Sequence, residues 1–423
     1  MQMRRRAVFV CCDGLGRGWI RAEVTPFLDR LREASLWCAD HHAVFPSVTR
    51  ASAASIATGC LPARHGLHGN RMGLFENGRI AVRDVGKPDF RDYMRRATGT
   101  TLRVPTMAQR VAQDGGFIAC SNVSPGAAYF LDPEHFGTLF HRAGAFGPGG
   151  VPLEDARALA VTHDLAGDWA MTQRFCTDVL SERRPTIAVM WLANPDLTLH
   201  HNPLGSPAHL DALAQAERCV EAVARTVEAL RQRGEQILLL VGSDHGQETV
   251  GDCVDLEGWM ARAGLAPLLE AGDIAVAGQG TAALLYATER GRAALLAVLD
   301  TLRREPWVGE LLMSEELAAR GHAASGGVVA AINLGSRDEP NDYGVRGRRF
   351  AVVEAGKPSG IGFGQHGGLG KDESGPFLIV NEPGAGAGAI ERRTSIVDIA
   401  PTILSFLGLP ATGVDGSALI NRA

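Results

Sequence analysis

The sequence predicts an α/β protein with a mostly parallel central sheet flanked by helices and an inserted, smaller α+β cap subdomain. Three observations lead there. Short apolar runs at residues 7–12, 117–120, 187–192, 237–241 and 377–380 are separated by helical patterning, and strands buried on both faces read as such continuous runs. Leu210, Leu213, Val220, Val223, Val227 and Leu230 recur at helical spacing between Pro207 and Gly234, which describes an amphipathic helix laid on a sheet. Asp13-Gly14, Asn194-Pro195-Asp196 and Ser243-Asp244-His245-Gly246 each follow one of these runs, and open parallel sheets gather ligands beyond the carboxyl ends of their strands.

The core is assigned to residues 1–246 and 365–423, and the cap, or lid, to residues 247–364. The cap has strand-like runs of its own at 274–277 and 282–286 and a helix near 290–302. No repeat of 20–50 residues is seen. A length of 423 residues, 45% of them hydrophobic and 21% charged, provides a large core and excludes a disordered chain. Lys and Arg number 42 against 47 Asp and Glu, so no general basic field predicts a nucleic-acid polymer or a membrane surface as partner. An anionic small molecule then needs local positive charge, which bound metal supplies. The basic opening at residues 1–6 and the apolar run 7–12 are too short for a secretion signal, whose apolar region spans roughly 7–15 residues, and no run approaches the ~20 residues of a membrane span. Eight scattered cysteines without a CxxC pair predict a reduced, cytoplasmic protein.

The polar clusters contain metal-ligating residue types. Asp196 and His200 are spaced i, i+4, on one side of a helical turn. Asp244 and His245 are adjacent but framed by Gly242 and Gly246, which permit an irregular backbone. Asp13 follows the first strand, and His366 lies in Gly364-Gln365-His366-Gly367-Gly368. Taken singly, each Asp is equally a turn or cap residue and each His equally a core or surface residue; spacing alone leaves capping and metal binding both open. The segment from Phe45 to Gly59 reads as a loop entering a short Ala/Ser helix. Thr49 caps this helix or stands just before it, where helix N–H groups favour an anion and a metal lowers a hydroxyl pKa.

The order Asp13, Thr49, Asp196-x-x-x-His200, Asp244-His245, His366 resembles the alkaline phosphatase superfamily, in its nucleotide pyrophosphatase/phosphodiesterase and phosphonoacetate hydrolase branch. So do Thr58-Gly59, Pro62-x-x-His65-Gly66, Val397 to Leu404 and Leu407-Gly408-Leu409-Pro410. The resemblance implies two divalent ions, zinc by default with manganese or iron as alternatives. Asp196, His200 and His366 hold one, and Asp13, Thr49, Asp244 and His245 the other. It further implies Thr49 as the nucleophile in a two-step hydrolysis of phosphodiesters or pyrophosphates through a phosphothreonine, acting on a small anionic substrate.

Other readings stay open beside this one. The segments around Pro46 to Thr49 and 200–207 resemble phosphonoacetate hydrolases, so cleavage of a carbon–phosphorus bond is an alternative, but the Lys-x-Lys of that group is missing from 120–128. A phosphomonoesterase and an inactive binding protein are further alternatives. Ser52 stands where the nucleotide-cleaving enzymes carry an asparagine, and Asn70 is the replacement candidate for that contact. Tyr129 and Phe130 are either base-stacking or core residues. Cys60-Leu61-Pro62-Ala63-Arg64 matches the C-x-P-x-R of sulfatases, but it follows the Thr49 helix instead of preceding it. Oligomeric state has no sequence signal.

Overall fold

The computed structural model describes residues 5–354, 356 and 358–420; residues 1–4 of the basic opening lie outside these. A ten-stranded sheet forms the centre, in the order Gly388–Ser395, Leu36–His42, Leu378–Asn381, Gln236–Gly242, Arg5–Cys12, Ile187–Leu192, Phe117–Ser121, Thr138–His141, Ala145–Phe146 and Pro152–Leu153. The pairs from Gln236–Gly242 through Thr138–His141 are all parallel. The run at 377–380 forms a strand at Leu378–Asn381, but it is antiparallel to both neighbours, so apolarity predicted its burial and not its direction. Sequence patterning missed the strand Leu36–His42, whose polar Asp40, His41 and His42 break the apolar run.

Alternation along Arg5–Cys12 shows how the core is divided. Ala7, Phe9 and Cys11 face one side of the sheet, with the helices Thr49–Thr58 and Ile399–Leu407. Val8, Val10 and Cys12 face the other, with Pro207–Gln232 and Leu165–Arg174. Every residue of Ile187–Leu192 is buried, as a central parallel strand requires. Pro207–Gln232 begins at Ser206, whose side chain accepts from the His209 amide, with Pro207 in the first turn. Its buried face carries Leu213, Val220, Val223, Val227 and Leu230. Leu210 departs from the predicted stripe: it is 41% exposed and lines a cavity of about 460 Å³ with Trp19 and Tyr343.

Between the core strands, residues 248–365 add two smaller sheets. One is four-stranded and antiparallel: Ile274–Gly278, Ala282–Ala287, Val328–Leu334 and Val308–Met313, covered by the helix Glu289–Leu302. The other runs Ser336–Pro340, Arg346–Val352, Glu248–Val254, Gly364–Gln365. A hairpin of Arg71–Glu76 and Arg79–Asp84, unforeseen from sequence, brings Ile80 against Ala275 and Ala277.

Several buried histidines are held neutral. Burial, with His322 and Arg103 nearby, pushes His65 down to about 3; burial alone takes His209 to about 4, and burial, with Arg142 and His163 beside it, takes His141 to about 4. Each ring accepts a backbone N–H at Nδ1, from Leu67, Gly205 and Ala143 respectively, a bond that protonation would break. These lowered values mean that the unfolded chain, titrating near ~6.5, binds more protons than the fold at acid pH. Stability is therefore predicted to be intact above pH ~6.5 and to fall progressively as pH drops toward 4. Urea unfolding of H65N should show a pH slope shallower by up to ~1.4 kcal/mol per pH unit; an unchanged slope would remove His65 from this account.

Candidate active site

The parallel strands deliver the site residues to one edge of the sheet. Asp13 follows Arg5–Cys12, Asp244 and His245 follow Gln236–Gly242, and Asp196 opens a short helix, Asp196–Leu199, after Ile187–Leu192. Thr49 is the first residue of the helix Thr49–Thr58, whose cap is Val48. Thr49 thus neither caps the helix nor stands before it. Its Oγ1 lies 3.2 Å from His245 Nε2, so the hydroxyl is turned into the site.

The remaining distances close the cluster. His245 Nε2 is 3.4 Å from Asp13 Oδ1 and 3.2 Å from Asp244 Oδ2. His366 Nε2 is 3.5 Å from Asp196 Oδ1, and His200 Nε2 is 3.3 Å from Asp196 Oδ2. The His245 and His366 rings stack at 3.6 Å. Their tautomers follow from their outer bonds: His245 Nδ1–H donates to Gly246 O at 2.9 Å and His366 Nδ1–H to Ser47 O at 2.8 Å, leaving both Nε2 lone pairs directed inward. All seven residues predicted as ligands come together. The closest groupings are Asp13, Asp244 and His245, and Asp196, His245 and His366, with ligand atoms within 4.8 Å of one another in each. His245 therefore stands between the two halves, and His200 joins through the second oxygen of Asp196.

The electrostatics suit a cation. Asp13 Oδ1 and Asp244 Oδ2 are buried without any hydrogen-bond donor, an arrangement that is costly unless something positive lies against them. Burial, then repulsion from Asp244 and Asp196, raises the Asp13 carboxyl well above its usual range; burial also raises Asp244, against the pull of His245. Burial opposes ionisation of Asp196 too, but His200, His366 and His245 outweigh it and hold Asp196 ionised. The two orphan oxygens and the inward Nε2 atoms fit divalent ions with oxygen and nitrogen ligands.

Sequence reasoning missed the supporting residues. Trp191 Nε1–H donates to Asp13 Oδ2 at 3.0 Å, and Gln247 Nε2 donates to Asp196 Oδ1 at 2.5 Å. Asp168 accepts from the amides of Ala193 and Asn194 and from both Asn122 and Asn194 side chains, fixing the turn that presents Asp196. Trp191 lies hidden in an apolar run, although Gln247 directly follows Asp244-His245-Gly246. Gly14, at φ +70°, is required because a Cβ there would stand 2.9 Å from that of Asp196.

The lower-ranked sequence candidates divide. Asn70 Oδ1 accepts from the Arg50 amide at 3.1 Å, so Asn70 is seated at the start of the Thr49 helix with its amide donor end uncommitted to that bond. Ser52 Oγ, one turn along, is buried without a partner. Tyr129 and Phe130 are 2% and 0% exposed, which makes them core residues and removes the stacking alternative. Cys60 is buried beyond the far end of the helix, with Sγ against Gly413 O, away from Thr49.

Against known proteins, the chain matches the family model described as type I phosphodiesterase / nucleotide pyrophosphatase over residues 7–384. No curated protein matches it by sequence. Among solved structures, murine ectonucleotide pyrophosphatase/phosphodiesterase 5, as an inactive threonine-to-alanine variant in complex with AMP, is 14% identical with a TM-score of 0.68, covering 98% of both chains. A second structure of that murine protein is 13% identical, with a TM-score of 0.66 over 97% of each chain. These likenesses establish the fold.

Substituting W191F removes the N–H on Asp13; with Asp13 as an ion ligand it is expected to weaken divalent-metal binding about 10–100-fold, the usual cost of losing a ligand's outer partner. Isothermal titration with zinc checks it; wild-type affinity in W191F would show that the indole does not orient Asp13.

Proposed function

Because the chain belongs to the type I phosphodiesterase / nucleotide pyrophosphatase family, we propose that it hydrolyses phosphodiester or pyrophosphate bonds of small anionic substrates through Thr49, by way of a phosphothreonine. The observation that carries this reading is the 3.2 Å contact between Thr49 Oγ1 and the inward lone pair of His245 Nε2, within a cage of buried carboxylates. When bound, two divalent ions, zinc foremost, would supply Lewis acidity to the Thr49 hydroxyl and to the phosphoryl oxygens, with Asp196, His200 and His366 holding one and Asp13, Thr49, Asp244 and His245 the other. Thr49, at the helix start, gives up its hydroxyl proton and attacks phosphorus where backbone N–H groups favour negative charge, breaking the bond from phosphorus to the alcohol or phosphate that leaves and takes up a proton. Asn70, anchored through Oδ1, directs its amide donor to a phosphoryl oxygen. Water then cleaves the phosphothreonine and restores the hydroxyl, completing a double displacement. The inactive threonine-to-alanine variant of the murine relative supports the nucleophile, and its AMP supports a nucleotide-like substrate. We assign residues 247–364 as the cap; eight free cysteines, six of them buried, support the cytoplasmic assignment. No helix among the described residues is long and apolar enough to cross a membrane.

One observation favours a second reading, hydrolysis of a phosphonate. The loop at 122–124, which lacks lysine, is instead met by two arginines: Arg142 Nη1 donates to Asn122 O at 2.8 Å and Val123 O at 2.7 Å, and Arg50 Nε donates to Ser124 Oγ at 3.0 Å. Positive charge is thus present where a substrate carboxylate would need it.

Turnover of a chromogenic phosphodiester, a phosphonate monoester and a phosphomonoester, with and without chelator, separates these readings. The diester is expected to be the best substrate, with activity lost on chelation and restored by zinc. T49A should reduce kcat at least ~10³-fold while keeping its metal, and H200A should lose one equivalent of zinc by elemental analysis. Full activity in T49A would falsify the nucleophile assignment, and a chain that only binds would turn over none of the three.

A further inference from the structure

A second buried charge cluster lies behind His366. Glu373 is 0% exposed, Arg349 5% and Glu248 7%. Arg349 Nη2 is 3.1 Å from Glu373 Oε1, and Arg349 Nε is 3.4 Å from Glu248 Oε2. Each residue comes from a different part of the chain: Arg349 from the strand Arg346–Val352, Glu248 from the strand Glu248–Val254, and Glu373 from the loop that carries His366. Two carboxylates share one guanidinium, so the cluster is not a self-neutralising pair, and burying it is worthwhile only where its remaining acceptors are used.

Those acceptors hold the His366 loop. Glu373 accepts from the amides of Gly368 and Gly370, both at 3.0 Å, and from the Thr281 hydroxyl. Asn333 Oδ1 accepts from Leu369 N at 2.9 Å and from Arg349 Nη2 at 2.6 Å. Glu248 accepts from Asp372 N at 3.0 Å, and the Glu373 carbonyl accepts from Gly246 N at 2.8 Å, one residue after His245. Gly368 fits with no margin: a Cβ there would stand 2.6 Å from Asn333 Oδ1, 2.7 Å from Glu373 Oε1 and 2.8 Å from Arg349 Nη2.

We propose that Glu373, oriented by Arg349, which Asn333 of the same 248–352 region holds in turn, is a positioning residue that sets the His366 ring against Asp196. The assignment rests on the reading of His366 as an ion ligand. Glu373 touches no reacting atom; it acts by fixing the backbone two residues beyond His366, so that the small sheets determine how well one half of the cage closes. In E373Q one carboxylate oxygen is replaced by an amide that offers N–H to the loop amides, so the loop is expected to loosen at Gly368 or Gly370.

The test is zinc release from the purified full-length protein into a chromogenic chelator, with kcat and KM for the chromogenic diester measured across zinc concentrations. E373Q should bind one of its two zinc equivalents about tenfold more weakly, lose kcat at limiting zinc and regain it in excess, with KM little changed. In the H366A background E373Q should add no further loss of zinc affinity, since coupled residues are non-additive. An additive loss, or wild-type zinc release in a folded E373Q, overturns the proposal. If E373Q does not fold, the nearly isosteric T281V, which removes the hydroxyl that donates to Glu373 and accepts from the Gly368 amide at 2.7 Å, is scored in the same way, and unchanged zinc release overturns it. Failure of the parent reading is distinguishable, because wild-type protein would then bind fewer than two equivalents whatever the state of Glu373.

Discussion

Three carboxylates, the buried Asp13 and Asp244 and the partly buried Asp196, are brought together, and the rest of the structure answers to that constraint. Burial first, and then repulsion between like charges in a poorly polarisable interior, raises the Asp13 and Asp244 carboxyls. The histidines relieve the strain only in part, since His366 is itself driven toward its neutral form by burial and by His245. What remains is a surplus of negative potential around inward lone pairs. A large, stiff sheet is suited to hold such an arrangement, because Asp13, Asp244 and His245 follow strands whose hydrophobic sides are locked in the core.

Much of this was legible in the sequence, for a physical reason. Strands buried on both faces must be apolar throughout, so Arg5–Cys12, Ile187–Leu192 and Gln236–Gly242 announced themselves, and the polar residues directly after them stood out as the site. Asp13, Asp196, Asp244 and His245 stand at short range from these strong patterns. Direction and support were less visible. Leu378–Asn381 is as apolar as its neighbours although it runs the opposite way, and Leu36–His42 was hidden by its polar end. Trp191 serves the core and Asp13 at once, so nothing in its local context distinguishes it from packing. Asp168 acts through backbone amides distant in sequence, and Glu373 through amides of its own irregular loop, relations that have no regular spacing to read. Thr49 was recognised as a helix-start residue, but its place as the first helical residue, with Val48 as cap, depends on how the preceding loop arrives.

The site and the small sheets share a wall. His366 follows the two-residue strand Gly364–Gln365, which pairs with Glu248 and Thr249, and Ser47, two residues before Thr49, donates to Gly368 O at 2.8 Å while its own carbonyl receives His366 Nδ1–H. The loop leading to Thr49 and the loop of His366 are thus bonded to each other. That pre-arrangement is what makes electrostatic catalysis effective, since the dipoles need not reorganise during reaction.

All of these residues emerge from a single edge of the sheet. The turn between Pro207–Gln232 and Gln236–Gly242 lies at the other edge, separated from Asp244 by a strand of seven residues, or about 20 Å at ~3.3 Å per residue. A tag, a reporter domain or a relocated pair of chain termini grafted at residues 233–235 would sit on the far rim, which makes that turn the natural handle for immobilising or labelling the protein without disturbing its chemistry.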